Sequence, residues 1–471
     1  MRAVIFLFVL LTAAAAGAQQ QPPSSSQPSG TDSPSEWSKL TESCFSWTGI
    51  PSCADELFTG TPFHIAVGSL APENGFGVGL AYVGHKTTDN WRNTWNADAV
   101  ASDNGSWRAG AYAQFVHTPN RPVGVSYGPP PPQVKRNLTN LPERTVFGLY
   151  AQAISLNELT YFGLGPSTTP AGRAFYGMTQ TIAGGNIVKP FYSPLAASLY
   201  GEINGRFVDI RERLGQSSPS IGELYTEGTA PGLTTHPATL QLGEGIRIRP
   251  VLASDVVRLD YSAVYRQYFA PGGSDFSFQR LTIDLGHEFA LYPITTRLWA
   301  PRPGNGPDSC LLDPSDDHSE CPKPYVRNFE GTIGLRVLAV LSMTPGGNVV
   351  PFYFQPTLGG TDINGDPALS SYQDYRFRAP NLLLVRESFE HSVWNLPLGV
   401  AFRADEGEVS LSRGGLGNGP WLHSFSGGLT LRAGGFPQVL LLFSWGGSEG
   451  THTSAIMNAS LLGGSFRPSL Y

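Results

Sequence analysis

The residues best placed to do chemistry in this sequence are two arginines set among aromatics, in the run Tyr372, Asp374, Tyr375, Arg376, Phe377, Arg378. Guanidinium groups in such company work by electrostatics: they hold carboxylates bidentately and stack on rings. The cluster lies in the stretch Leu358–Glu387, which opens on a Gly-Gly turn (Gly359, Gly360), runs through polar residues, and becomes apolar after Pro380 at Leu382–Val385. A long loop ending this way is expected to fold over a pocket or into a cavity. The plainer reading is that both arginines simply begin a strand in a wet pore.

Catalytic constellations are weak. Gly446-Gly447-Ser448-Glu449-Gly450 matches GxSxG, but it joins two strand-like runs, whereas a nucleophile elbow needs a strand-to-helix turn. It reads as a tight hairpin loop. His287 and Glu288 are neighbours on a strand-like run, so they point to opposite faces and cannot act as a pair. The four cysteines fall as two close pairs, Cys44 with Cys53 and Cys310 with Cys321. Neither pair has CxxC spacing, and only His318 lies between the second pair. No catalytic residue, metal or cofactor is expected.

The elements that position the arginine cluster follow from composition and periodicity. The chain has 471 residues, is 14% charged and 11% aromatic, and holds 55 glycines. Soluble domains carry about 25% charge. Arg2, the apolar run Val4–Ala16 and the small residues Ala16-Gly17-Ala18 read as a secretory signal over 1–18. Beyond it no apolar run approaches the ~18 residues of a membrane helix. The net charge of −6 gives no reason to expect nucleic acid as a partner. Residues 19–43 are a Pro/Ser/Gln-rich linker, and 44–61 a short cysteine-containing segment. A signal implies an oxidising compartment, where nearest-neighbour disulfides would join Cys44 to Cys53 and Cys310 to Cys321. Each would contribute roughly 2–3 kcal/mol on a chain-entropy estimate.

From residue 62 to 471 the pattern has period two. Leu281, Ile283, Leu285 and Phe289 alternate with Arg280, Thr282, Asp284, Gly286 and Glu288. Faces divided this way need apolar surroundings on one side and a wet, charged space on the other. A barrel in lipid supplies both. Several runs are also longer than the 5–6 residues usual for sandwich strands, and suit the ~9–11 that a tilted membrane strand needs. Sixteen candidate strands are predicted, the first at 75–85, the eleventh at 348–355, the twelfth at 380–392 and the last at 453–466. The fold expected is all-β: a sixteen-stranded antiparallel transmembrane β-barrel with the long loop folded into its lumen. Two features sit badly with it. Residues 211–236 make a long turn at the end opposite the loop, and Glu244 lands on the lipid side of its strand.

The sequence resembles the BamA/TamA-type outer-membrane barrels of the bacterial surface antigen superfamily. Leu358-Gly359-Gly360 and Arg376-Phe377-Arg378-Ala379-Pro380-Asn381 match that family's loop, although Ser370-Ser371 stands where its Arg-Gly pair precedes the aromatic Tyr372. Tyr161-Phe162-Gly163-Leu164-Gly165, Phe402–Val409 and Asn458–Phe466 resemble further family segments in the same order. The resemblance implies an outer-membrane protein that inserts or translocates substrate proteins. Its partners would be outer-membrane lipid, unfolded outer-membrane proteins and other assembly-machine subunits. Residues 19–61 are too few for a POTRA domain, so it implies a POTRA-less barrel.

The resemblance also suggests roles for residues. A loop arginine pairs with an acid of the barrel wall in the family. Here Arg376 and Arg378 would take that role against Asp284, Glu288 or Glu330, all placed on the inward face. A lateral seam between first and last strands would be weakened by Gly77 and Gly79 on one side and by Gly463 and Gly464 on the other, with Ser460 and Phe466 also on the last strand's side of it. The alternative is a passive pore for small solutes, its lumen charges setting ion preference.

Overall fold

The computed structural model describes residues 63–88, 90–117, 144–192, 195–213, 219–252, 256–291, 331–393, 398–433, 436–457 and 467–471. The signal, the linker, Glu330, Ser460, Gly463, Gly464 and Phe466 lie outside the described residues. The expected disulfides lie outside the described residues. Cys44 and Cys53 precede the first described strand, and Cys310 and Cys321 fall in the undescribed stretch between 291 and 331.

Alternating side chains produce long strands. They are β1 (Phe63–Ser69), β2 (Phe76–Thr87), β3 (Trp91–Ser102), β4 (Trp107–His117), β5 (Val146–Tyr161), β6 (Ala174–Tyr192), β7 (Ala197–Glu212) and β8 (Thr239–Ile248). After the two-residue β9 (Val251–Leu252) come β10 (Val257–Phe269), β11 (Phe278–Ala290) and β12 (Gly331–Met343). A small separate ladder, β13 (Thr357–Leu358) with β14 (Phe377–Arg378), precedes β15 (Asn381–Ser392), β16 (Leu398–Ser410), β17 (Leu422–Ala433), β18 (Phe436–Gly447) and β19 (Gly450–Met457). The main sheet has 17 strands, or sixteen once the fragment β9 is set aside. Each pairs antiparallel with the next in the chain from β1 to β19, β8 passing to β10 and β12 to β15.

The two faces differ as the periodicity requires. On β7, Leu199, Ile203 and Phe207 are exposed, while Asn204, Arg206 and Val208 between and beside them are buried. A sheet that exposes its apolar face and buries its polar one is the reverse of a soluble sandwich. Glu244 is exposed on the apolar side between Leu240 and Ile246, opposite Tyr265 and Gly201.

The strand count is sixteen, but two assignments change. Phe63–Ser69 forms β1, paired with β2. Its inner face is built of His64, Ala66 and Gly68, too small and too weakly patterned to announce a strand. Residues 348–355 are not a strand: Phe352–Phe354 is a buried 3-10 turn, flanked by Pro351 and Pro356. Its aromatics are packed on all sides, and that removes the alternation a half-buried strand would show. The two changes cancel, so the long loop, now 344–380, still joins the eleventh and twelfth strands of the sheet. They also correct the sense of the 213–238 connection. It joins the seventh and eighth strands and lies at the same end as the loop, not the opposite one; it contains the short helix α1 (Ile221–Leu224).

Candidate functional site

The loop 344–380 is a folded element. β13 and β14 zip its base, pairing Thr357 with Arg378 and Leu358 with Phe377. The chain turns at Gly359 (φ 103°) and Gly360 (φ 59°), a region that side chains avoid. A Cβ at Gly359 would come 2.5 Å from the Cβ of Arg376, and one at Gly360 would strike the Asp374 carboxylate. The Gly-Gly turn therefore exists so that the returning arm, which carries the arginine cluster, can press against the outgoing one. Asp374 fastens the turn by accepting the Thr361 N–H at 2.6 Å. At the tip, Asp362 accepts the N–H groups of Asn364 (2.9 Å) and Asp366 (2.8 Å), an Asx-type turn.

Three sets of contacts hold this element against the inner face. In the first, Arg376 is buried and forms an ion pair with Glu449, their side chains only 3% and 7% exposed. Its other nitrogens donate to the Thr168 hydroxyl and carbonyl at 2.7 Å each. The guanidinium lies 4.5 Å from the Phe377 ring centroid and 5.0 Å from that of Phe162. In the second, the aromatic turn Phe352–Phe354 is gripped by arginines. Arg378 donates to the Phe352 carbonyl at 2.7 Å, Arg280 of β11 donates to the Phe354 carbonyl, and Arg206 of β7 faces the Phe354 ring at 6.0 Å. Phe352 meets Tyr161 and Tyr176 edge-on at 5.2 Å, contacts worth about 0.5–1.5 kcal/mol each beyond burial. In the third, Asp405 of β16 accepts the Leu369 N–H at 2.9 Å and the Arg386 Nε at 2.7 Å, and Arg386 also donates to the Pro367 carbonyl. Ser371, where the resembled loops carry glycine, donates its N–H to Ser424 Oγ at 2.9 Å.

The remaining contacts come from yet other walls. Tyr375 Oη donates to the Pro72 carbonyl (3.2 Å), the Phe352 N–H to the Pro231 carbonyl (2.8 Å), and the Gly165 N–H to the Arg378 carbonyl (2.8 Å). The loop thus touches the β1–β2 connection and the β18–β19 hairpin, opposite extremes of the pairing order. A flat sheet could not bring both against one loop.

Electrostatics at the loop end are set by burial. Burial pushes the Glu73 carboxyl up to about 7 despite its 2.6 Å ion pair with Arg173. Burial likewise raises Asp362 to about 6, helped by the charge of Asp366, and raises Asp374.

Of the residues singled out from the sequence, Gly359, Gly360, Tyr372, Asp374, Arg376, Phe377 and Arg378 are brought together. Of the expected acidic partners, Asp284 and Glu288 are not, and Glu330 lies outside the described residues. Asp284 is held bidentately by Arg336 (2.8 and 2.9 Å), and Glu288 by Arg258 (2.7 Å). Both acids have basic neighbours on adjacent strands, and β11 carries Glu288 to the end away from the loop. The partner of Arg376 is Glu449, supplied by the GxSxG-like stretch, which forms the β18–β19 hairpin with Gly446 and Gly450 at positive φ. Nothing in the local sequence marks Glu449 as a partner, because a pairing between strands far apart in the chain leaves no spacing to read. His287 and Glu288 point apart as expected, His287 toward the Tyr261 hydroxyl at 2.7 Å. The seam reading needs a correction. Gly77 and Gly79 lie in the second strand, paired on one side with Gly68 and Ala66 and on the other with Ser102 and Val100. The first strand is β1.

No protein-family model and no curated protein matches the chain. Solved structures similar to it include CdiB from Acinetobacter baumannii (TM-score 0.46, 12% identity, covering 83% of this chain and 58% of that one). CdiB from Escherichia coli gives a TM-score of 0.45 at 10% identity, covering 81% and 57%. The chain therefore spans less than two thirds of the length of either CdiB. BamA from Haemophilus ducreyi lacking POTRA domains 1–3 gives 0.41 at 10% identity, covering 90% and 79%.

Proposed function

We propose that the sixteen strands close into a barrel in the bacterial outer membrane and that the barrel inserts or translocates proteins there. The observation that carries this reading is the loop between the eleventh and twelfth strands. The loop is anchored from both extremes of the sheet, by Tyr375 on Pro72 and by Arg376 on Glu449, and its Arg-Phe-Arg run matches that of the resembled assembly or translocation barrels. Membrane residence is supported by the exposed apolar face and by aromatics at both of its rims. Phe76, Trp107, Phe269, Trp421 and Trp445 are exposed at the loop end, and Phe63, Phe191, Tyr192 and Phe289 at the other.

Substrate strands would be templated where β1 meets the last strand, an edge able to pair with an incoming chain. The test is an insertion assay. Liposomes carrying the purified protein receive an unfolded small outer-membrane barrel, and protease-resistant product is followed over time. Faster folding than on empty liposomes, abolished by a cysteine lock between Ala66 and Ser460 (neighbouring positions screened for register), is the expected result. No acceleration sinks the proposal.

A passive pore is the second reading. It is favoured by the half-exposed ion pairs at the far end of the inner face, Arg249–Asp260 at 2.8 Å and Arg258–Glu288 at 2.7 Å, which mark a wet lumen. High steady conductance without any effect on folding would support it.

A further inference from the structure

The chain continues past the region that resembles a closing strand with Arg467-Pro468-Ser469-Leu470-Tyr471. Pro468 has no N–H to give a ladder, so this segment is poorly suited to extend a wall. In the structure it crosses the inner space instead. At its start, Arg467 donates to Asp98 of β3 at 3.1 Å, sharing that carboxylate with Arg108 of β4 at 2.9 Å. Leu470 is buried in the main apolar cluster, and its N–H donates to the Asn364 side chain at 2.7 Å. Tyr471 Oη donates to Asp362 at 2.6 Å, the short distance of a charge-assisted bond. The Tyr471 ring lies 5.9 Å from the Arg280 guanidinium of β11. Five residues thus run from β3 and β4 to β11, beneath the tip of the long loop. That distance is within the reach of such a segment, roughly 16 Å when extended.

The Leu470 and Tyr471 hydrogen bonds at the far end of this crossbar fall on the loop tip, and the same Asp362 that receives the phenol also caps the tip's turn. Beside it lies a polar cavity of about 960 Å³, lined among others by Arg108, Arg173, Asp374, His452 and Arg467. The segment has the makings of a ligand in its own cleft: one ion pair at its head, a buried leucine, a backbone bond, and a tyrosine whose phenol is read by a carboxylate. We propose that the segment 467–471 is a tethered plug bound in a peptide site. The site recognises a short Arg-Pro-Ser-Leu-Tyr stretch, and withdrawal of the plug frees the loop tip and opens the cavity across the lumen. The proposal rests on the barrel reading but not on any assembly activity.

Planar-bilayer conductance tests it. The full chain is compared with a chain ending at Phe466, each first shown to be folded by heat-modifiable migration. Truncation is expected to raise steady conductance several-fold and to make the 361–367 tip protease-sensitive. Synthetic Arg-Pro-Ser-Leu-Tyr added to the truncated protein should restore low conductance, and the same peptide ending in phenylalanine should need a higher concentration. If the truncated chain misfolds, Tyr471→Phe and Asp362→Asn in the full chain carry the test, each expected to increase the frequency of openings. A truncated, folded chain that conducts like the full one, or is indifferent to the peptide, overturns the plug. A full chain that never inserts into the bilayer counts against the barrel itself.

Discussion

The two ends of the inner face use the same chemistry to different effect. Near the loop, Arg376 and Glu449 are almost wholly enclosed, and the arginine's other donors are spent on Thr168. At the far end, Arg249 and Asp260 are 40% and 50% exposed, and Arg258 and Glu288 are 31% and 45% exposed. Exposed pairs contribute about 0–1 kcal/mol each. Breaking an enclosed pair by removing one partner costs about 3–5 kcal/mol, because a charge is left without company in a dry place. The difference teaches that the arginines at the loop end are fasteners, while those at the far end dress a wet wall.

The largest effect that would break this comparison is at Glu449. Glu449→Ala strands Arg376, and the loop is expected to loosen by about 3–5 kcal/mol. Limited proteolysis within 361–375 and the thermal transition of heat-modifiable migration would report it. Adding Arg376→Met to that variant should restore much of the loss, since the uncompensated charge goes with it. A loop as protected in Glu449→Ala as in the parent contradicts the fastener role.

Next in size is the turn. Gly360→Ala forces a side chain into φ 59° and against the Asp374 carboxylate, and is expected to cost about 1–3 kcal/mol of loop docking. Gly365→Ala is the control. It also has positive φ (92°), but its Cβ would meet open space, so the smaller loss there isolates the collision.

How much of this is legible in the sequence divides along the same line. The wall is readable because a strand between an apolar and a polar medium writes its environment into every second residue, as Ser277–Leu291 does. The loop's position between the eleventh and twelfth strands is readable from its Gly-Gly and Arg-Phe-Arg segments. What the loop docks on is not. Glu449, Thr168, Arg206 and Arg280 come from strands and turns far apart in the chain, and a tertiary pairing of that kind has no local period. Phe352–Phe354 reads as a strand only in sequence, because residues buried on all sides lose the alternation that would tell the two apart. β1 escapes notice for the opposite reason: Ala66 and Gly68 on its inner face give too little contrast.

Proton linkage sharpens the comparison in solution. The Glu73 and Asp362 carboxyls, both at the loop end, are raised by burial to about 7 and about 6. A raised carboxyl favours the docked state when protonated. Its contribution is complete below the ordinary carboxylate range and is lost as pH rises through the shifted value. The loop is therefore expected to be better protected at pH 5 than at pH 8, most of the change falling between about 4.5 and 7. Glu73→Gln combined with Asp362→Asn should remove most of the profile, leaving the part that the raised Asp374 carboxyl contributes. Amide exchange of the 361–367 backbone across that range measures it, and protection that rises with pH contradicts the assignment.

The smallest effect belongs to the far end. Arg258→Gln removes one partner of a half-exposed pair, and water can replace what Glu288 loses. Stability is expected to fall by less than about 1 kcal/mol, with loop proteolysis unchanged. In the barrel proposed above, the same substitution should instead be felt by passing ions, because deleting a positive charge from its lumen wall would shift preference toward cations. Reversal potentials of the open, truncated chain read that shift. A substitution at Arg258 as disruptive to the loop as one at Glu449 would mean that the two ends are a single electrostatic unit, and the division between fastener and lining would have to be abandoned.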